Sequence, residues 1–389
     1  MTWTKRYHYP GDVEEGYYFD IGTYVCKNHF NDDFLNNYIG NNGIRGICSY
    51  CDKRLVVIEL EAVLTLIAVG LSYIYEDPLD SRYYNKDTKY GFDGNIQPFE
   101  ELWWDDPFDL RIEDGKLLED VSNQLYTDQL YCEKNEFGSH QDYLDELWSH
   151  FKEVLKHKAR FAFHFSNTFR KWNLSDPSDI LHQVAATILH HNMISTLKEN
   201  TILYRARQHT TENEVTGAAK IASLPNFLNK TAGRMNAAGI SLFYCSKNKN
   251  VTIKEVVSKK RTTMPYYSTA IFRNAEAIRL VDLTKLPDTP SVFDESNNQS
   301  IDIIYFMHSF VEEVSLPVLQ KDSILEYLQT QVITEYIRYN PDLNVDGMIY
   351  HSAKDSKSKN IVLFYNHEDS LDKLKFSKSS IKTSLVKDL

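Results

Sequence analysis

The chain has 389 residues, of which 42% are hydrophobic and 25% charged. This length can hold two domains with separate cores, and this composition is ordinary for a soluble globular protein. The aromatic share of 13% argues against disorder. The net charge of -11 argues against a nucleic-acid partner, because phosphate contacts need a basic face.

The amino-terminal residues predict neither export nor membrane insertion. The opening MTWTKRYHYP is polar and lacks the apolar core of a signal peptide. The longest apolar run, residues 60–75, contains Glu61 and is too short to span a bilayer. Five cysteines without a secretory signal indicate a reducing compartment. We therefore expect a cytoplasmic protein with no membrane partner.

Two short cysteine motifs near the amino terminus have the spacing of a zinc site. The first is Cys26-x-x-His29, and the second, eighteen residues later, is Cys48-x-x-Cys51. Thiolate and imidazole ligands suit tetrahedral Zn²⁺, and each tight turn supplies two of them. Four protein ligands leave no position for a reacting water, so residues 1–56 are predicted to form a structural zinc segment. The remaining thiols, predicted to be buried, are Cys132 and Cys245.

Residues 57–172 are predicted to form a mostly helical module. The pattern from Val56 to Tyr75 is apolar on most helical faces, which indicates a buried helix. Amphipathic patterns over residues 115–130 and 140–151 predict two more helices. The polar segment 172–178 contains a proline and is the predicted domain boundary.

The rest of the sequence alternates predicted helices and strands, which indicates an α+β protein. A helix is expected over residues 179–199, because apolar residues recur there at helical spacing. The tail from Asn366 is polar and lysine-rich and is expected to be partly loose. The other predicted elements are strands at 201–207, 240–244, 346–352 and 359–365 and helices at 301–315 and 323–339.

The stretch from Gly233 to Val257 places polar groups at the ends of one short predicted strand. In chain order these are Arg234 and Asn236 before the strand, Tyr244 at its end, and Glu255 in the first turn of a helix expected to start near Thr252. A cation, a phenol and a carboxylate on a rigid element suit an anionic ligand that carries a ring. The alternative is an ordinary strand–turn–helix unit in which Thr252 and Glu255 form a T-x-x-E capping box.

This stretch is similar to the core motif of the RES family, which is named for an arginine, a glutamate and a serine. The upstream LYRAR (Leu203–Arg207) and the downstream DGMIYHSAKDSKSKNIVLF (Asp346–Phe364) match the family in type and order. Zinc knuckles followed by helices resemble the HEPN/RES amino-terminal module that precedes some RES domains. That superfamily often carries an RNase motif, but Arg160 and His164 have a different spacing here, so no RNase activity is expected.

The resemblance implies a fold and a ligand. The fold is a carboxy-terminal RES domain, residues 179–389, which resembles the fold of the ADP-ribosyltransferase toxins and follows a zinc-binding, mostly helical amino-terminal domain. The implied ligand is NAD⁺. Because the sequence has no glycine-rich phosphate loop, side chains would hold the pyrophosphate, and guanidinium groups suit it. The implied cofactor-binding residues are Tyr204, Arg207, Arg234, Asn236 and Asn360.

The implied reaction is cleavage of the bond between nicotinamide and ribose. Positive charge grows on the sugar in its transition state, and the Glu255 carboxylate would stabilise that charge. Tyr244 would stack on or orient the nicotinamide ring, and Ser352 would hydrogen-bond ribose or phosphate. The implied catalytic residues are Arg205, Tyr244, Glu255 and Ser352.

The acceptor of the ribosyl carbon stays open between inorganic phosphate, water and a protein side chain. These acceptors correspond to an NAD⁺ phosphorylase, an NAD⁺ glycohydrolase and an ADP-ribosyltransferase. The implied role is a toxin or anti-phage defence effector that depletes NAD⁺, with a separate antitoxin or immunity chain, or a second copy in a homo-oligomer, as partner. The alternative from another class is a non-enzymatic sensor that binds ADP-ribose or a nucleotide.

Overall fold

The structure is a computed structural model that describes residues 22–104, 109–125, 130–134, 148–161, 177–315, 323–352 and 354–389. Contacts divide the chain into two compact units. Unit 1 is Met1–Glu146 with Thr289–Asp302, and unit 2 is Leu147–Asp288 with Ile303–Leu389. The irregular arm predicted for residues 1–20 lies outside the described residues, and the domain boundaries predicted from the sequence stay predictions.

Unit 1 begins with a three-stranded antiparallel sheet. Its strands β1 (Tyr24–Cys26), β2 (Ile44–Ile47) and β3 (Arg54–Glu59) lie in the order β1-β3-β2, and helix α1 (Asp33–Asn42) follows β1 in the chain. The helix predicted from Val56 is wrong for residues 56–59, because β3 pairs with a strand on each side. Backbone pairing across the sheet thus overrides a helical apolar pattern at this point.

Helix α2 (Leu60–Ile74) lies at the centre of the core of unit 1. Its buried residues cover most of its surface, and Val63, Leu64 and Ile67 are fully buried. This confirms the core-facing helix that the apolar pattern predicted from residue 60 onward.

The remaining elements of unit 1 are short. Helix α5 (Gly115–Gln124) confirms the amphipathic helix predicted from Gly115, but it ends before strand β6 (Leu130–Glu133) begins. Strands and helices alternate through the described part of this unit, so the prediction of a mostly helical amino-terminal domain is not confirmed. The elements are α3 (Pro78–Ser81), α4 (Phe99–Trp104) and α5 (Gly115–Gln124), with a sheet of β4 (Tyr75–Glu76), β5 (Ile96–Pro98) and β6 (Leu130–Glu133) in the order β4-β6-β5.

Unit 2 combines helices with two sheets. The helix predicted over residues 179–199 ends at His190, because Asn192 takes a positive φ of 50° and the chain then enters a strand. Across the described ranges, no helix combines the length and the apolarity needed to cross a bilayer. The helices are 148–153 with a π-helical turn (Val154–Lys158), α6 (Pro177–His190), α7 (Ala218–Ile221), α8 (Lys249–Val256), α9 (Asn298–Ser315, in unit 2 from Ile303), α10 (Ser323–Glu326), α11 (Leu328–Tyr339) and α12 (His367–Asp372).

The strands of unit 2 form one mixed and one antiparallel sheet. The mixed sheet has the order β7-β11-β12-β13-β9, in which β11 and β12 are parallel, and the second sheet has the order β14-β10-β8. The strands are β7 (Ile194–Leu197), β8 (Ile202–His209), β9 (Phe243–Cys245), β10 (Tyr266–Asn274), β11 (Ile278–Asp282), β12 (Gly347–Ser352), β13 (Asp355–Leu363) and β14 (Leu374–Leu385). This mixture confirms the predicted α+β class.

The carboxy-terminal tail differs from its prediction. Strand β14 pairs antiparallel with β10 from Leu374 to Leu385, with one irregularity near Thr269. The expectation of a loose tail is therefore wrong. The polar sequence pattern did not predict a strand, because β14 is an edge strand that carries three exposed lysines. Its partner strand also lies about a hundred residues earlier in the chain.

The mixed sheet has two buried faces, and side chains alternate between them along each strand. Tyr350 and Val362 face the core formed with helices α9 and α11, whereas Ile349 and Ile361 face the core shared with the second sheet. Ser352 lies two residues after Tyr350, and Asn360 lies two residues before Val362. Asn360 therefore belongs to the helix-facing side of the sheet, and Ser352, which ends β12 after an irregularity in the pairing, lies near it because both side chains donate to Glu255.

Phe272 lies in the core between the two sheets and is a direct test of this packing. It is fully buried, and its ring centroid lies 5.0 Å from that of Phe243 and 5.1 Å from that of Phe376. Phe272→Ala is expected to lower the free energy of unfolding by about 3–5 kcal/mol, because a large cavity remains. Chemical denaturation measures this change. Phe227→Ala, at a side chain that is 81% exposed, serves as the control and should cost less than about 0.5 kcal/mol.

Candidate functional site

A carboxylate and two polar side chains meet at one end of the mixed sheet. The Oε1 atom of Glu255, on α8, accepts a hydrogen bond from Ser352 Oγ at 2.5 Å and another from Asn360 Nδ2 at 3.0 Å. Ser352 and Asn360 are buried, and Glu255 is half-buried. The structure thus joins three of the predicted site residues, although Glu255 lies about a hundred residues before the other two in the sequence.

The capping-box interpretation of Glu255 is wrong. Helix α8 begins at Lys249, and its N-cap is Asn248, whose side chain accepts a hydrogen bond from Asn250 N–H at 2.9 Å. Thr252 lies inside the helix, where its hydroxyl donates to the carbonyls of Asn248 and Tyr204. Glu255 consequently lies in the last turn, where the helix dipole disfavours an anion. Its position stabilises the helix little, so a role outside the helix is the better interpretation.

A second polar pair lies on β9, the strand before α8. The Tyr244 hydroxyl donates to Asn236 Oδ1 at 2.7 Å, and the Asn236 amide donates to the Ile240 carbonyl at 2.8 Å. Burial raises the pKa of Tyr244, so its hydroxyl stays protonated at neutral pH. A Cβ at Gly233 would lie 2.4 Å from Asn236 Oδ1 and 3.0 Å from the Tyr244 hydroxyl. Only glycine therefore allows this pair to form.

Arg205, on β8, is tied to main-chain carbonyls. Its guanidinium donates to Ile221 O at 2.6 Å, to Tyr244 O at 2.8 Å and to Ala222 O at 3.3 Å, and it lies 4.5 Å from the ring centroid of Phe243. Burial lowers its pKa to about 10, which leaves the group charged at neutral pH. Three of its five N–H groups thus hold β9 and the chain after α7 in place.

The other predicted nucleotide-binding residues have separate contacts. Arg207 donates to the Lys220 carbonyl and lies 3.5 Å from the Glu214 carboxylate. Arg234 donates to the Val314 carbonyl, and it is close enough to Tyr244 to lower the pKa of that phenol, against the larger effect of burial. Tyr204 pairs through its main chain with Ser246. None of these contacts joins Arg207 or Tyr204 to Glu255.

An open cleft of about 210 Å³ lies beside Tyr244. Typical small-molecule sites have roughly 300–1,000 Å³, so this cleft suits one part of a larger ligand. The Glu255, Ser352 and Asn360 side chains do not line it. The lining residues are Arg205, Leu224, Asn229, Thr231, Ala232, Gly233, Asn236, Ser241, Leu242 and Tyr244.

Tyr350 is a neighbour of this site that the sequence interpretation missed. It lies on β12 directly opposite Asn360 and two residues before Ser352, and it is only 8% exposed. Burial raises its pKa well above 10, and the nearby Tyr244 and Glu255 add to the rise. Alternation along the predicted strand at 346–352 already places Tyr350 and Ser352 on one face, which was the available signal.

The four predicted metal ligands come together in unit 1. Their ligand atoms all lie within 4.8 Å of one another, and the described residues contain no other such group of histidine, cysteine and acidic side chains. Cys26 is the last residue of β1, and His29 lies in the short turn that follows it. Cys48 and Cys51 lie in the turn between β2 and β3. The cluster could hold a metal ion, and three sulfurs with one imidazole match the donor set of a closed zinc site.

The surroundings of the cluster favour the metal-binding forms of Cys48 and His29, whereas burial raises the pKa of the Cys26 thiol to about 12. Burial raises the pKa of Cys48, but hydrogen bonds from the backbone N–H groups of Tyr50, Cys51 and Cys26 outweigh it, so the net pKa is lowered. Burial lowers the pKa of His29, which keeps its imidazole neutral. A thiolate and a neutral imidazole are the species that bind a metal.

Comparison with protein families matches two regions of the chain. Residues 41–169 match HEPN/RES N-terminal domain 1, and residues 202–380 match the RES domain. No curated protein matches the chain. The RES match includes Arg205, Glu255 and Ser352, and a RES domain indicates a toxin-like function related to NAD. The chain is therefore a RES-domain protein with a HEPN/RES N-terminal domain.

Proposed function

We propose that unit 2 binds NAD⁺ and cleaves its nicotinamide–ribose bond, so that the protein acts as an NAD⁺-consuming toxin or defence effector. The observation that carries this proposal is the Glu255 carboxylate, held by Ser352 and Asn360 at the end of the RES sheet. Two donors fix the orientation of this anion before any ligand binds. A fixed carboxylate is what a sugar cation in a transition state requires.

The chemistry needs few protein groups. When the carbon–nitrogen bond breaks, its electron pair stays on the nitrogen, and the cationic ring leaves as neutral nicotinamide. No general acid is required at this step. The positive charge that grows on the ribosyl carbon interacts with Glu255, and this attraction is stronger in the transition state than in the bound substrate. Glu255 therefore contributes to turnover more than to binding.

The remaining residues would bind the two ends of the substrate. Arg205 has two N–H groups beyond its three carbonyl contacts, and it lines the cleft together with Tyr244 and Asn236. We assign Arg234 and Arg207 to the pyrophosphate, Tyr244 to the nicotinamide ring, and Tyr204 to a second aromatic contact.

The acceptor decides which enzyme this is. Phosphate as acceptor gives ADP-ribose 1″-phosphate, water gives ADP-ribose, and a protein side chain gives an ADP-ribosylated target. Analysis of the products from NAD⁺ with and without added phosphate separates the first two acceptors. Binding of NAD⁺ with no release of nicotinamide would instead favour the non-enzymatic sensor. A separate antitoxin or immunity chain, and a homo-oligomer, stay predictions from the resemblance.

Glu255→Gln tests the catalytic assignment. Glutamine keeps the shape and the hydrogen-bond acceptor but removes the negative charge. Nicotinamide release at saturating NAD⁺ is expected to fall roughly a hundredfold or more, while the melting temperature and the Kd for NAD⁺ change little. Glu312→Gln, at an exposed position on α9, is the matched control and should keep full activity. A similar rate in Glu255→Gln and wild type would move the catalytic role to another residue.

Arg234→Ala tests the nucleotide contact. Loss of a charge-assisted hydrogen bond should weaken NAD⁺ binding by on the order of 1.5–3 kcal/mol, as isothermal titration calorimetry would measure. Arg234→Lys should recover only part of this affinity, because lysine lacks the planar fork. Arg273→Ala is the control, since Arg273 also donates to a main-chain carbonyl, that of Asn200. Unchanged affinity in Arg234→Ala would mean that Arg234 only holds Val314.

We further propose that the metal is Zn²⁺ and that its role is structural. Cys48→Ser should release zinc and lower the melting temperature of unit 1, because the energy of metal binding is part of the energy of folding. Cys132→Ser, at a buried free thiol outside the cluster, should keep one zinc per chain. Metal analysis by mass spectrometry measures both variants. Purified wild-type protein without zinc would contradict the assignment.

A further inference from the structure

Tyr350 lies between two polar groups of the candidate site: Glu255 with its two donors, and the Tyr244–Asn236 pair. Its strand neighbours are Asn360 directly opposite and Ser352 on the same face, and both of these donate to Glu255. On the next strand pair, Val362 lies opposite Tyr244. Tyr350 therefore occupies the same sheet face as the carboxylate group on one side and the Tyr244–Asn236 pair on the other.

The hydroxyl of Tyr350 has no hydrogen-bond partner among the described residues, and its oxygen is not one of their fully buried unpaired atoms, although the side chain as a whole is only 8% exposed. Buried tyrosine hydroxyls usually find a partner, because an unpaired polar group is costly away from water. Tyr365 is also buried and follows that rule by donating to Asp346, and the half-buried Tyr244 donates to Asn236, whereas the equally buried Tyr267 has no such partner among the described residues. The free hydroxyl of Tyr350 is thus available to a ligand.

The surroundings of Tyr350 indicate what kind of ligand group would suit it. After burial, the largest effects on the pKa of Tyr350 come from Tyr244 and Glu255, which raise it, and from Arg234, which lowers it, and Cys245 adds a smaller rise. These groups therefore lie near the phenol. The phenol stays protonated, so it can donate one hydrogen bond and accept another. A sugar hydroxyl offers the matching acceptor and donor.

We propose that Tyr350 is a further substrate-contacting residue, whose hydroxyl hydrogen-bonds the ribose hydroxyl next to the carbon that loses nicotinamide. This inference rests on the proposed function. Glu255 faces the reacting carbon in that proposal, and Tyr350 lies beside the two residues that hold Glu255. The hydroxyl on the neighbouring carbon is the sugar group closest to that position.

Tyr350→Phe removes the hydroxyl and keeps the ring. Nicotinamide release from NAD⁺ by this variant is expected to show kcat/KM lower by roughly tenfold, with an unchanged melting curve. Tyr267→Phe is a matched control, because Tyr267 is also 8% exposed and its hydroxyl also has no partner among the described residues. Its ring packs with Ile253 and Val386 instead, so the control should keep wild-type activity.

An NAD⁺ analogue that lacks the ribose hydroxyl in question tests the contact itself. If the phenol bonds that hydroxyl, Tyr350→Phe and wild type should process the analogue at the same rate, because each change removes the same interaction. Equal kcat/KM of both proteins with NAD⁺, or the same tenfold loss with NAD⁺ and with the analogue, would overturn the proposal.

Failure of the proposed function gives a different result. If wild-type protein releases no nicotinamide, cleavage is wrong, and calorimetric binding of NAD⁺ then decides the role of Tyr350. Weaker binding by Tyr350→Phe than by wild type and Tyr267→Phe would support the contact, and equal binding would overturn it. If wild type also fails to bind NAD⁺, the function and the contact are both wrong.

Discussion

The hydrogen bonds that Ser352 and Asn360 donate to Glu255 are the interaction on which the candidate site depends. They join helix α8 to the end of strand β12 and to the interior of strand β13, so one carboxylate links three elements. The two donors are buried, and an acceptor lost from this position would leave both unsatisfied. The same contacts give the carboxylate one orientation, which is the property that electrostatic stabilisation of a transition state requires.

Arg205 supports the other side of the site in a different way. Most of its hydrogen-bonding capacity goes to main-chain carbonyls, including that of Tyr244, so it fixes the strand from which Tyr244 projects. The family arginine is therefore a support for the cleft as well as a candidate ligand group. Gly233 completes the arrangement, because a side chain there would displace Asn236 from the Tyr244 hydroxyl.

The two units obtain local order by different means. The metal cluster of unit 1 brings together two tight turns, each of which is defined by residues three apart in the sequence. The site of unit 2 is built across strands whose pairing partners are distant in the sequence, such as β9 with β13. A metal ion held by the first site would stabilise it, whereas the second site is supported by the packed cores on both faces of the sheet.

The sequence by itself determined the short-range features. Residues three apart placed Cys26 with His29 and Cys48 with Cys51, and the apolar pattern predicted the buried helix from Leu60. Only the tertiary structure decided that Glu255 lies in the last turn of its helix, that the lysine-rich tail is strand β14, and that Tyr350 lies near Tyr244 and Glu255. The reason is physical: turns and helices depend on neighbours a few residues away, whereas strand pairing and side-chain contacts depend on partners that the chain brings together only when it folds.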